Sequence, residues 1–306
     1  MGPISELSKF HRGLRAIRTI AVPNLASPLV RFALVLAVLA CLLAKAEDAP
    51  AVDIPNADLL QVSLEDLGRI KVTTVSRRSE SLSSAPAAIY VIRPEDIRRS
   101  GINSIPELFR TVPGMEVAQA NSHQWAITVR GFNSIFANKL LVLMDGRSIY
   151  TPTFSGVYWE ETDTVLEDID RIEVIRGPGA ALWGANAVNG VINIMTRPAN
   201  ETQGTLISGG GGAEERGFGT VRYGGQLGTN VYFRVYGKYS NRDEFTLTDG
   251  RAAGDAWWRS QGGFRLDWYP SEANTATLQG DYYYGEMDGQ VFRLSSSPFG
   301  VFAVCA

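Results

Sequence analysis

Few side chains in these 306 residues are spaced for catalysis. There are two histidines and two cysteines, and His11 and Cys41 fall within residues 1–46. That leaves His123 and Cys305, too few for a zinc site, and a single cysteine cannot close an internal disulfide. The glycine-rich stretch Gly177–Gly184 lacks the Gly-Lys-Ser/Thr ending of a phosphate-cradling loop. Its glycines suit tight turns and close packing against a neighbouring wall. Glu160, Glu161 and Asp163 could act as paired acids or collect around calcium, but an exposed acidic loop is the simpler expectation. No nucleophile–base pair stands out. A net charge of −3 gives no electrostatic footprint for nucleic acid. No enzymatic activity, cofactor or bound metal is expected from these residues.

Two groups of side chains suit binding. The segments Asn121–Trp125 and Thr151–Trp159 carry His123, Trp125, Phe154, Tyr158 and Trp159. Aromatics with a few polar groups fit a chelate or vitamin-sized ligand, and they equally fit burial against other parts of the chain. Arg130, Glu173 and Arg176 stand in otherwise apolar strand-like runs. Charge in such a setting is costly unless it is paired, so these three are expected either to find polar partners or to lie on a solvated strand face.

The elements that must position these residues are short and mixed. Ala87–Ile92 reads as a strand. Pro94 opens a helix over Glu95–Ser100, which Gly101 stops. Ser104-Ile105-Pro106-Glu107 has the capping-box pattern and opens a helix through Leu108 and Phe109, ended by Pro113-Gly114. Ala126–Arg130 is a predicted strand. Leu140–Met144 and Arg147–Tyr150 flank Asp145-Gly146, a strong hairpin signal. Strands follow at Arg171–Arg176 and Val191–Met195. The mixture predicts an α+β unit.

After Arg197-Pro198 helix signals vanish. Val231, Phe233, Val235 and Tyr239 alternate with Tyr232, Arg234, Tyr236 and Lys238. Phe264, Leu266 and Trp268 alternate with Arg265 and Asp267. Ala276, Leu278, Tyr282 and Tyr284 alternate with Thr275, Thr277, Gln279 and Asp281. Such segments, ending in Trp or Tyr, read as antiparallel transmembrane β-barrel strands, and backbone groups in lipid require a closed barrel. A soluble antiparallel sheet alternates in the same way.

The leader fits export. His11, Arg12, Arg15, Arg18 and Arg31 precede the apolar run Phe32–Ala44, and Ala44-Lys45-Ala46 matches small-x-small cleavage before Glu47. As a helix this run rises only about 20 Å, short of a ~30 Å bilayer core, so residues 1–46 read as a cleaved signal peptide. Residues 47–63 read as a flexible N-terminus.

The stretch VLEDIDRIEVIRGPGAALWGANAVNGVINIMT (Val165–Thr196) occurs in order with VRGF at Val129–Phe132 and LLVLMDGRSIY at Leu140–Tyr150. From about Leu64 to Arg197 this set closely resembles the plug domain of TonB-dependent outer-membrane receptors. The resemblance implies a plug over 79–197, followed over 198–306 by the N-terminal strands of an outer-membrane barrel. It implies a coupling segment over 64–78, centred on the extended run Ile70, Lys71, Val72, Thr73, Thr74 and Val75, which pairs with the TonB energy-transducing complex. It places Arg130, Glu173 and Arg176 as contacts between plug and inner barrel wall, and the two aromatic segments as apical loops near a ligand. The implied activity is energy-coupled import of a scarce ligand across the outer membrane of a Gram-negative bacterium. A ferric siderophore is favoured. Cobalamin, haem or glycan import, or a non-transporting surface-binding or signalling receptor, are the alternatives. Receptors of this kind use barrels of about 22 strands. The residues after Arg197 suffice for about five or six strands at roughly ten residues each, so the chain is expected to be a truncated product or gene fragment with an incomplete barrel.

Overall fold

The computed structural model describes residues 71–72, 74, 80–81, 87–184, 186–271, 274–296 and 299–305, with the backbone alone for 71, 80–81, 180–181 and 290–305. The expected signal peptide, the flexible N-terminus, and Ile70, Thr73 and Val75 lie outside the described residues.

Up to Thr196 the strands run β1 (Lys71–Val72), β2 (Glu80–Ser81), β3 (Ile89–Ile92), β4 (Met115–Gln119), β5 (Trp125–Val129), β6 (Leu140–Met144), β7 (Arg147–Ser148), β8 (Ile169–Arg176) and β9 (Gly190–Thr196). The central sheet has the order β3-β8-β9-β6-β7, antiparallel except for the parallel pair β6–β9. The apolar runs LLVLM and GVINI are continuous because this sheet is covered on both faces. Ile172, Val174, Ile192, Ile194, Leu140 and Val142 pack on one side with Ile97, Ile105, Leu108, Phe109 and the β4–β5 hairpin. Leu141, Leu143, Ile175 and Val191 pack on the other with Ala187 and Trp183.

Local signals act largely as expected. Helix α1 (Pro94–Ser100) begins on its proline and ends where Gly101 takes a φ of 66°. Asp145 and Gly146 turn the β6–β7 hairpin with φ values of 48° and 80°, both in the left-handed region that such turns need. The expected capping box at Ser104 does not form. Helix α2 (Ile105–Leu108) has no side-chain cap, and Glu107 instead accepts from Arg110 Nε at 2.5 Å and Trp125 Nε1 at 2.9 Å. Two donors, one of them a charged guanidinium, hold this carboxylate where a capping box would offer it one backbone amide.

After Ala199–Glu201, a 3-10 turn, come β10 (Gly204–Gly210), β11 (Gly217–Leu227), β12 (Val231–Arg242), β13 (Trp257–Ser271) and β14 (Asn274–Met287), joined in that order as one antiparallel meander. Among the described residues, β15 (Gln290–Ser296) and β16 (Phe299–Cys305) pair with each other. Among the described residues five strands join in the sheet, with a separate hairpin after it. Burial along the meander is inside out. Arg234, Lys238 and Arg242 on one face of β12 are 4%, 8% and 9% exposed, whereas Val235 and Tyr239 on the other are 46% and 44% exposed. Val221, Phe264 and Trp268 also face outward. A soluble sheet would bury its apolar face; this sheet presents it, as lipid-facing strands do.

Candidate functional site

The polar face of the meander is buried because the plug region sits on it. The 3-10 turn Leu166–Asp168 and the loop before it deliver carboxylates to that face. Asp163 lies 2.7 Å from Lys238 Nζ and pairs with Arg259, while its carbonyl accepts from Gln261 Nε2 at 3.1 Å. Asp168 lies 3.2 Å from Arg222 Nε and 3.7 Å from Arg234 Nε. Asp145 accepts from Thr196 N and Oγ1 at 2.7 and 2.8 Å and lies 3.8 Å from Arg265 Nη1. Asp163 and Asp168 each face two strand cations, so neither is a lone buried charge. Even so, burial pushes the Asp168 carboxyl up, outweighing Arg234 and Arg222. Its oxygens meet these arginines as ion pairs and accept no well-aligned hydrogen bond among the described residues, so desolvation prevails.

The expected exposed acidic loop is corrected here: Glu160 and Asp163 are buried. Only a long-range strand face carrying Lys238 and Arg259 makes that burial tolerable, and no local pattern announces it. The Glu160 carbonyl accepts from Arg259, and burial raises the Glu160 carboxyl to about 7, with neighbouring Glu161 adding to the rise.

Glu173 and Arg176 make their described polar contacts within the plug region. Glu173 is fully buried and accepts from Thr74 and Arg171. Arg176 Nη1 donates to Pro113 O at 2.9 Å. Arg130 is exposed just past the end of β5, at a φ of 63°, and so does not sit within a strand as expected. Among the described residues, the carboxylates that pair with cations of the meander include Asp145, Asp163 and Asp168, while the carbonyls of Ser122, Glu160 and Thr164 accept from Trp257, Arg259 and Lys238. The glycine-rich loop is corrected too. A Cβ on Gly179 would stand 2.8 Å from Val191 Cγ2, so its close packing is against the plug's own sheet and not a barrel wall.

Packing takes most of the candidate ligand residues. Trp125 lies in the core against Glu107, with Arg242 5.5 Å from its ring. Trp159 packs edge-on to Phe109 at 5.4 Å. His123 is buried beside Asp255, and burial pulls its pKa down. Phe154 and Tyr158 stay partly exposed and stack at 4.0 Å. Tyr158 lines a cavity of about 460 Å³ between the plug region and β13–β14, together with Arg147, Glu161, Gln261, Asp281 and Tyr283. Its size is that of a small-ligand site. Among the described residues no three His, Cys, Asp or Glu side chains group as metal donors.

In the coupling segment, Lys71–Val72 pairs antiparallel with Glu80–Ser81. Val72 and Thr74 are each 1% exposed.

Residues 81–191 match the family described as TonB-dependent Receptor Plug Domain. The vitamin B12 transporter BtuB of Vibrio vulnificus (strain CMCP6) is 31% identical over 183 residues, covering 58% of this chain and 29% of that protein. The iron-regulated outer membrane virulence protein of Vibrio cholerae (O395) is 30% identical over 190 residues, covering 58% and 28%. The chain thus spans under a third of the length of these relatives. The ferripyoverdine receptor of the Pseudomonas aeruginosa outer membrane has the same fold, with a TM-score of 0.57 at 20% identity over 77% of this chain and 30% of that one. With the plug motifs in order, a plug seated on the charged face of an inside-out meander, and a solved receptor of the same fold, residues 81–191 form a TonB-dependent receptor plug domain and the chain is similar to TonB-dependent receptors of the Gram-negative outer membrane.

Proposed function

We propose that this chain is the plug-bearing part of an importer that takes up a scarce metal chelate or corrinoid by energy-coupled rearrangement of the plug. The observation that carries this reading is the join between plug and strands: aspartates against arginines and lysine, with neither apolar cluster of the described residues extending into the meander. Ionic contacts in a polar lumen can be exchanged for water as the plug shifts, whereas a fused apolar core would resist movement. The cavity beside Tyr158 supplies a ligand-sized space. A ferric siderophore is the favoured cargo. The similarity to B12 transporters makes cobalamin the second reading. The partner is the TonB complex, which would pair with the extended segment around Val72. The protein is a transporter and not an enzyme in this reading.

The test is Val72→Pro in the receptor at its own locus. Proline removes a backbone donor and restricts Lys71, which should disrupt strand addition to the partner. Cells should bind labelled ferric siderophore or cobalamin at normal levels yet fail to accumulate it. Normal accumulation would place coupling elsewhere. Loss of the protein from the surface would make this segment a structural strand of the plug.

A further inference from the structure

The cavity beside Tyr158 is lined differently from the rest of the join. Elsewhere the plug's aspartates face arginines and a lysine. The cavity wall carries Glu161, Asp281 and one cation, Arg147. Asp163 also borders it, but Lys238 and Arg259 answer that charge. Tyr283 Oη donates to Glu161 Oε2 at 2.7 Å, and Tyr236 Oη donates to Asp281 Oδ1. Each contact occupies one oxygen of its carboxylate and leaves the other open. Gly263 stands opposite Asp281 in the pairing of β13 with β14. A Cβ there would lie 2.5 Å from Tyr236 Cε1 and closer still to Asp281 Oδ1, so a side chain at this position would part the tyrosine from the carboxylate. Among the described residues, no hydrogen bond or ion pair engages the Arg147 guanidinium or the hydroxyls of Tyr150 and Tyr158, which all line the cavity.

We propose that this cavity selects an uncharged, amide-bearing cargo and rejects a polyanionic chelate. The proposal rests on the import reading above and narrows its cargo. A polyanion is held by several arginines or lysines, which neutralise it and donate to its oxygens. Here one cation stands against two carboxylates. A ferric tris-catecholate, a trianion, would meet like charge at short range, which costs binding. An amide is matched to the same wall. Its carbonyl accepts from Arg147 or a tyrosine hydroxyl, and its N–H donates to the open oxygen of Glu161 or Asp281. The rings of Tyr150 and Tyr158 cover the apolar carbons between such groups. A site of this kind rejects a ligand that cannot both accept and donate, because its own polar groups would be left unpaired. The carboxamide arms of a corrinoid and the amide links of a ferric trihydroxamate share this chemistry.

The experiment is equilibrium binding to the purified full receptor. The probes are cyanocobalamin, an uncharged ferric trihydroxamate and a trianionic ferric tris-catecholate. One of the uncharged probes should bind about a hundredfold more tightly than the trianion. Cyanocobalamin in that place identifies a corrinoid as the source of the amide, and the trihydroxamate identifies a siderophore. Gln279 also lines the cavity, is exposed, and makes no side-chain hydrogen bond among the described residues. Gln279→Lys adds a cation and should move the affinity ratio about tenfold towards the trianion. Glu161→Gln removes a negative charge and should move it the same way, while Gln279→Glu should move it in the opposite direction. Thermal unfolding shows that each variant is folded; if Glu161→Gln is not, the two Gln279 variants carry the decision. Tighter binding of the trianion by the parent, binding of neither uncharged probe, or a ratio that no folded variant moves overturns the proposal. Binding needs no energy coupling, so failure of the import reading shows separately, as unchanged uptake of the bound probe when the receptor gene is deleted.

Discussion

At the scale of single residues, the plug carboxylates do the anchoring, and their chemistry sets two expectations. Asp163 answers both Lys238 and Arg259. Asp163→Asn leaves two buried cations with no counter-charge at that position, a loss of about 3–5 kcal/mol by analogy with broken buried pairs. The seating of the plug should weaken accordingly, read as faster protease cleavage of the plug and entry of bulky antibiotics that the parent excludes. Glu160 behaves oppositely. Burial raises its pKa from 4.5 to about 7. The folded state therefore binds a proton that the unfolded chain has released across that interval, and stability falls as pH rises from about 4.5 to about 7. Glu160→Gln should remove this slope and leave the receptor more resistant to denaturation at neutral pH. The readout is the urea midpoint followed against pH for parent and variant; an unchanged slope would assign the effect to another group.

At the scale of elements, the plug sheet depends on close approach between β8 and β9. A Cβ at Gly190 would stand 2.6 Å from the Ile175 carbonyl and 3.3 Å from Leu140 Cδ1. That carbonyl belongs to the neighbouring strand and cannot rotate away. Gly190→Ala should lower plug stability by about 1–3 kcal/mol, the usual cost of overpacking, measured as a lower denaturant midpoint with the meander's strand signal retained. By contrast, Gly101 and Gly146 have open space around a Cβ but positive φ, so alanine there would be strained by backbone conformation and not by contact.

At the scale of the whole molecule, the meander's polarity decides its surroundings. Val235 lies midway along β12 and faces outward. Val235→Arg on a soluble sheet would change little, because the position is already open to water. On a lipid-facing strand it should cost about 2–4 kcal/mol near the bilayer midplane. The expected result is a sharp fall in receptor recovered folded from outer membranes, whereas Val235→Leu should be neutral. Equal recovery of the arginine variant would show that this face does not meet lipid.

Much of this was written locally in the chain. Alternation of Arg234, Tyr236 and Lys238 with Phe233, Val235 and Tyr239 defined the two faces of a strand, because strand side chains alternate whatever the surroundings. Asp145-Gly146 announced its hairpin and Pro94 its helix, since both signals are short-range. The ordered motifs around Arg130 and Arg176 pointed to the plug. The alternation could not say which face was inside; that followed only from the plug seated against the arginines. Local sequence likewise marked Asp163 as a solvated acid, and the family resemblance placed Glu173 as a wall contact. The partners Lys238 and Arg259 lie far along the chain from Asp163, and Thr74 lies 99 residues from Glu173. An ion pair or hydrogen bond depends on distance in space, and for these residues only the tertiary fold brings the charges within reach.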